Sequence, residues 1–123
     1  MITGIVTAAR EAVIVLNVRG PSGQEVEIHA VIDTGFDGSL TLPAQVITSL
    51  RLPWRRRGRS LLADGNETLF DIYEATVIWH GSPRRVAVDL VDLVPLVGMS
   101  LLYASELTIR VVERGSVLIT PLT

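Results

Sequence analysis

Between residues 25 and 32 the side chains alternate, with Val26, Ile28, Ala30 and Ile32 set against Glu25, Glu27 and His29, and the pattern runs directly into Asp33-Thr34-Gly35. A period of two belongs to a strand with one face in a core and the other toward water, because successive side chains leave a pleated backbone on opposite sides. A helix cannot gather these apolar positions on one stripe. The rest of the chain has the same character: short β-rich runs cut by turn residues. Residues 1–8 and 12–19 read as strands, the second ending at Gly20-Pro21-Ser22-Gly23. Pro43 opens a short helical stretch in which Val46, Ile47 and Leu50 share a face, and Pro53 closes it. Residues 59–63 and 67–79 flank Asp64-Gly65-Asn66, a strong hairpin signal because glycine takes positive φ without steric cost. A second hairpin turns at His80-Gly81-Ser82-Pro83 and returns through residues 86–91, while Tyr73 and Trp79 fall on one face of the long strand as sheet packing. Residues 98–105 read as a short helix, and 107–112 and 117–120 as closing strands around Arg114-Gly115. The expectation is a mainly β closed sheet with one or two short helices, in a single domain over residues 1–123.

Composition removes several chemistries. The chain has no cysteine, which excludes disulfide scaffolds, thiolate zinc sites and thiol nucleophiles. His29 and His80 are its only histidines, too few for a histidine-based metal site and awkward for a Ser-His triad. Asp89 and Asp92, three apart on a strand, point to opposite faces and make no metal pair. No metal or cofactor is expected. A net charge of −2 gives no global drive toward nucleic acid or an anionic membrane. Residues 1–18 are broken by Arg10 and Glu11 and lack the basic start of a signal peptide. The apolar stretch 86–102 is interrupted by Asp89, Asp92, Pro95 and Gly98, so no membrane span is expected and the cytoplasm is the default location.

The chemistry concentrates at Asp33. An apolar strand delivers an acid, a small hydroxyl residue and a glycine to a turn, which sets a carboxylate on a rigid support as a reactive group requires. Asp-Thr-Gly is also ordinary turn material, so the three residues alone leave both readings open.

In context, Val31-Ile32-Asp33-Thr34-Gly35-Phe36 resembles the active-site motif of the retropepsin-like aspartic proteases of clan AA, in particular the prokaryotic branch with a phenylalanine after the motif. The resemblance extends in order along nearly the whole chain: a flap hairpin at Asp64-Gly65-Asn66, then Leu96-Val97-Gly98 before a short helix. It implies a small closed β-barrel of the acid-protease type and aspartic endopeptidase activity on an extended peptide. Hydrolysis by this route needs two carboxylates sharing a proton, and like charges about 3 Å apart cannot both ionise. The chain has one such motif, and Asp37, Asp64, Asp71, Asp89 and Asp92 lack its setting. The second acid is therefore expected from Asp33 of a twofold-related copy, making a homodimer.

The remaining roles are also implied by the resemblance. Thr34 bonds across the axis, and Gly35 lets the substrate backbone approach. Phe36 and Asp37, with Ala63, Asp64, Gly65 and Asn66 of the flap, border the substrate. Leu96, Val97 and Gly98 pack beneath the turn. Two departures stand out. Phe36 is bulky where retroviral enzymes have a small residue, and Met99 and Ser100 occupy the stretch where those enzymes carry an arginine that pairs with the acid near the motif. Asp37 is left to pair with another arginine, such as Arg10 of the partner subunit, or to stay solvated. The same fold also suits a catalytically inactive dimerisation or peptide-binding module. A third reading, nucleic-acid binding through Trp54-Arg55-Arg56-Arg57-Gly58-Arg59, is disfavoured by the acidic balance of the chain, and the run is expected to be a solvated connection ahead of the flap. Asn66-Glu67-Thr68 fits a glycosylation pattern but has no signal peptide to give it meaning.

Overall fold

The alternation at residues 25–32 becomes structure as expected. In the computed structural model, which describes residues 1–123, β2 (Ala12–Arg19) and β3 (Glu25–Ile32) pair antiparallel from Val13 opposite Val31 to Arg19 opposite Glu25. Ile14 faces Ala30 and Leu16 faces Ile28, all buried, while Val15, Asn17, Glu27 and His29 are exposed. Such cross-strand apolar pairs are what fix register, since a one-residue slip would turn all of them to water.

The other elements are β1 (Ile2–Val6), β4 (Leu40–Leu42), α1 (Ala44–Ser49), β5 (Trp54–Leu61), β6 (Glu67–Trp79), β7 (Ser82–Leu90), β8 (Leu96–Val97), α2 (Met99–Leu102), β9 (Ser105–Ile109) and β10 (Ser116–Pro121). Hydrogen-bonded neighbours follow the order β5-β6-β7-β4-β8-β3-β2-β1-β10-β9, and β6 also meets β2 where Val18 lies opposite Val77. That extra contact closes β2, β3, β8, β4, β7 and β6 into a ring. The mainly β closed sheet with two short helices is what the residues led us to expect. β5 hangs from the ring on β6, and β1, β10 and β9 extend from β2.

The ring is filled by Leu40, Leu42, Val77, Val88 and Val97, together with Leu101 from α2, none of them exposed to solvent. Each such side chain contributes roughly 1.5–3 kcal/mol of burial. β4 is buried at all three positions because it lies between β7, parallel to it, and β8. α1 turns Ile47 inward, and its first amide, Ala44 N–H, donates to Asp92 Oδ1 at 2.8 Å. Asp92 thus serves a helix start. No helix is long and apolar enough to cross a membrane.

Two local expectations are corrected. The basic run is strand β5, not a solvated connection, because Arg55, Arg57 and Arg59 each find an acid of β6: Glu74, Asp71 and Glu67. The second hairpin turns on two residues, His80 and Gly81, both at positive φ, so that Ser82 already pairs with Trp79. Two positive φ angles match the right-handed twist of the flanking strands.

Candidate active site beneath the β5–β6 hairpin

Asp33 follows directly on β3, and the strand beneath it holds it in place. Val31 and Ile32 lie opposite Leu96 and Val97 in a parallel pair, Val31 N–H donates to Pro95 O and Asp33 N–H to Val97 O, both at 2.9 Å. The Asp33 side chain accepts the Gly35 N–H through Oδ1 at 2.9 Å. The turn then returns to the segment after β8: Gly98 N–H donates to Ser39 O at 3.0 Å, Met99 N–H to Phe36 O at 2.8 Å and Ser100 N–H to Gly38 O at 3.0 Å. Backbone bonds on both sides leave the half-buried Asp33 little freedom to move, which is the support a reactive carboxylate needs.

Gly98 makes this lacing possible by having no side chain. A Cβ there would run into the Gly38 carbonyl oxygen and the Phe36 ring. The ring of Phe36 in turn lies over the bare Cα positions of Gly38 and Gly98, so part of its bulk is taken up under its own turn. The stretch where an arginine was lacking is secured another way. The Ser100 hydroxyl donates to the Asp37 carbonyl, and Arg84 from β7 donates to Ser100 O at 3.2 Å and Leu101 O at 3.3 Å. These bonds satisfy carbonyls that so short a helix leaves open. The Asp37 carboxylate makes no ion pair within the chain.

Above the turn lies a cleft of about 590 Å³. Asp33, Gly35, Phe36, Asp37 and Thr41 line its floor, Asp89, Val91 and Leu96 its flank, and Arg59, Ser60, Leu61 and Phe70 its wall. The wall belongs to the β5–β6 hairpin. Phe70 lies across Gly58, where a Cβ would strike the ring. Of the residues singled out from the sequence, Asp33, Gly35, Phe36 and Asp37 meet in the cleft, with Leu96 at its edge. Val97 and Gly98 are buried below, and Thr34 is exposed on the turn. Ala63, Asp64, Gly65 and Asn66 form the hairpin tip and bond mainly among themselves: Asp64 accepts the Asn66 N–H at 3.0 Å and its side-chain amide at 2.9 Å. Those two bonds hold the Asp64 carboxyl below its ordinary pKa. The stretches of hairpin that line the cleft are residues 59–61 and Phe70.

Asp89 was not foreseen in this site. It sits in β7, half-buried, where burial pushes its carboxyl up, Arg56 pulls it down and Asp37 raises it further. The signal was present in the sequence as an acid within an otherwise apolar stretch, but its partner across the cleft is distant in the chain. A carboxyl raised in the folded state favours folding in its protonated form. Its contribution is present below the unfolded pKa and is lost as pH rises through the folded value. Asp89→Asn removes that loss, so the urea midpoint of the variant relative to the parent should climb between pH 4 and pH 7. A constant difference over this range would show that Asp89 carries no such cost.

Ion pairs link the two strands of the hairpin. Arg57 pairs with Asp71 at 3.5 Å, Arg59 with Glu67 at 3.9 Å and Arg55 with Glu74, while the Trp54 indole N–H donates to Asp71 at 3.1 Å. Exposed pairs of this kind each contribute at most about 1 kcal/mol, enough to set the hairpin's register but not to lock it closed. Leu61, Leu62 and Leu69 on the hairpin, with Leu93 and Val94 after Val91, are large apolar side chains left in solvent.

No family model matches the chain, and no curated protein matches it. Among solved structures it is similar to EIAV protease complexed with the inhibitor HBY-793, at 14% sequence identity and a TM-score of 0.56, over 77% of this chain and 88% of that one. At that identity the likeness establishes the fold, which is retropepsin-like over most of the chain.

Proposed function

We propose that the chain is an aspartic endopeptidase, working as a homodimer in which the two Asp33 carboxylates share one proton. In the reaction one carboxyl, protonated, polarises the scissile carbonyl, and the other, ionised, takes a proton from the attacking water. The observation that carries this reading is the placement of Asp33: an acid on a turn sewn to β8 and α2 by backbone bonds, at the floor of a cleft walled by a β-hairpin. The retropepsin-like fold supports it, and so does the single Asp-Thr-Gly in the chain, which leaves the second acid to a second copy. Thr34 is exposed beside Asp33, and in this reading it bonds with the partner's turn.

The substrate is an extended peptide lying along the cleft beneath the hairpin, its main chain pairing as an added strand. Leu61, Leu62 and Leu69 then gain cover from the peptide or the second copy, which accounts for large apolar side chains kept at a hairpin tip. Closure of the hairpin over the peptide excludes water from the reacting bond.

A peptide-library digest from pH 3 to pH 7, with and without a statine-type inhibitor, tests the proposal together with a solution mass measurement. The expected result is inhibitor-sensitive cleavage of internal bonds, strongest from acidic to near-neutral pH where the shared proton persists, by a species of twice 13.4 kDa. A well-formed dimer that cleaves nothing the inhibitor can block would make this a binding module instead.

A further inference from the structure

The sheet leaves two strand edges open, the outer edges of β5 and β9. β1 has neighbours on both sides within the chain, β2 and β10, so no second copy is needed to complete it. β5 is a poor docking edge: it carries four arginines and its ladder is broken by a bulge between Trp54 and Arg56. Charge and irregularity of this kind are how natural proteins blunt an edge. β9 carries a single charge, Glu106, and no irregularity. It is regular, contains no proline, and pairs with β10 without interruption from Ile109 opposite Val117 to Ser105 opposite Pro121.

Its outward groups can be identified. Arg110 N–H donates to Ser116 O and Ala104 O accepts from Leu122 N–H, so even-numbered residues of this segment turn their backbone toward β10. Ser105, Leu107 and Ile109, by the alternation of an antiparallel ladder, present their N–H and C=O groups outward, a row of three donors and three acceptors. Glu106 and Arg110 lie on the even face, both exposed, and neither has an ion-pair partner in the chain. Large apolar side chains stand at both ends of the strand: Tyr103 is 79% exposed, Val111 75% and Val112 65%.

We propose that β9 is the seam between two copies of this chain, pairing antiparallel with its own image about a twofold axis at Thr108. That register places Glu106 opposite Arg110 of the second copy, twice, and Leu107 opposite Ile109, twice. Leu107 and Ile109 then exchange backbone hydrogen bonds across the seam, and Val111 and Val112 come to lie against Ser105 and Ala104. The charges select this register over its neighbours: with the axis at Leu107, Glu106 faces Thr108 and Arg110 faces Ala104, and both ion pairs are lost. The result is one sheet, β1-β10-β9 continued by the same three strands of the second copy. This seam rests on the reading that the chain works as a homodimer, and it says which surface joins the two.

The chain has no native cysteine, which makes the test direct. In the proposed register Thr108 faces its own image as a non-hydrogen-bonded pair, with Cα atoms about 4.5 Å apart, inside the range a disulfide spans. Thr108→Cys should therefore run as a covalent dimer after mild oxidation. Glu106→Cys alone should not, while a mixture of Glu106→Cys with Arg110→Cys should cross-link. Glu106→Arg or Arg110→Glu singly should weaken the dimer by about tenfold or more, and the two together should restore it. A chain that is dimeric by mass, yet gives no covalent dimer from Thr108→Cys and ignores both charge reversals, overturns the seam while leaving the dimeric peptidase standing. A cross-linked dimer that cleaves no peptide leaves the seam standing and removes the peptidase. A chain that is monomeric at every concentration tested overturns both.

Discussion

Asp33→Asn is expected to lower peptide cleavage by about 10³-fold or more while the folded dimer persists. Asparagine keeps the shape of the side chain and can still accept the Gly35 N–H through its carbonyl oxygen, so the turn has no reason to open. The backbone bonds from Asp33 N–H to Val97 O and from Met99 N–H to Phe36 O do not involve the side chain at all. What asparagine cannot do is take and return a proton. In the proposed symmetric dimer the substitution removes both acids, so no carboxylate is left to take the proton of the attacking water. The measurement is initial rate on a cleaved peptide, with solution mass and thermal unfolding as controls for dimer and fold. Substantial turnover in a properly assembled variant would falsify the assignment of Asp33. A single copy that still cuts peptides would do the same to the paired mechanism.

The second large effect separates two glycines that the sequence presents alike. At Gly98 a Cβ meets the Gly38 carbonyl oxygen and the Phe36 ring, and a backbone atom cannot swing aside as a side chain can. Gly98→Ala should destabilise the fold by about 3 kcal/mol, the upper end for overpacking, or on the order of 10 °C in Tm for a chain of this size. At Gly35 the nearest atom to a Cβ is Asp33 Oδ1 at 3.2 Å, a close but tolerable contact. Gly35→Ala should leave stability within about 1 kcal/mol and instead slow the proposed cleavage by roughly 10²-fold, because Gly35 lines the cleft with Asp33 and an added methyl there takes space the proposed peptide would need. Urea unfolding and cleavage rates on both variants check the contrast. Equal loss of stability in the two would show that the Gly38–Phe36–Gly98 contact is not the tight point of the site.

The difference between these glycines illustrates where sequence reasoning stops. Asp33-Thr34-Gly35 is legible as a turn after a strand because every residue that defines it is within a few positions, and the alternation of Val26, Ile28, Ala30 and Ile32 marks β3 to its ends. The helix opened by Pro43 is legible for the same reason: of the three positions that share a face, Ile47 and Leu50 are buried and Val46 packs partly buried against the core. β4 and β8 are not legible. Three residues and two residues carry no period, and they are strands only because β7, β3 and each other lie alongside. β5 misleads for a related reason: a run of arginines resembles a solvated loop until Glu74, Asp71 and Glu67 are seen to answer it from the neighbouring strand.

Residues near in sequence thus determined most of the strands, the Asp33 turn and the hairpin tip at residues 63–66, since alternation, turn chemistry and glycine's freedom act over a handful of positions. Only the folded chain decided that β6 returns to β2 to close the ring, that Thr41 accepts the Leu96 N–H from 55 residues away, and that Ser100 secures Asp37 from 63 residues away. The same is true of Asp89 joining Asp33 and Asp37 in one cleft, and of β9 keeping a bare edge. Such contacts form when burial of Leu40, Val77, Val88 and Val97 draws distant strands together, and nothing in a local pattern records which strand will be met.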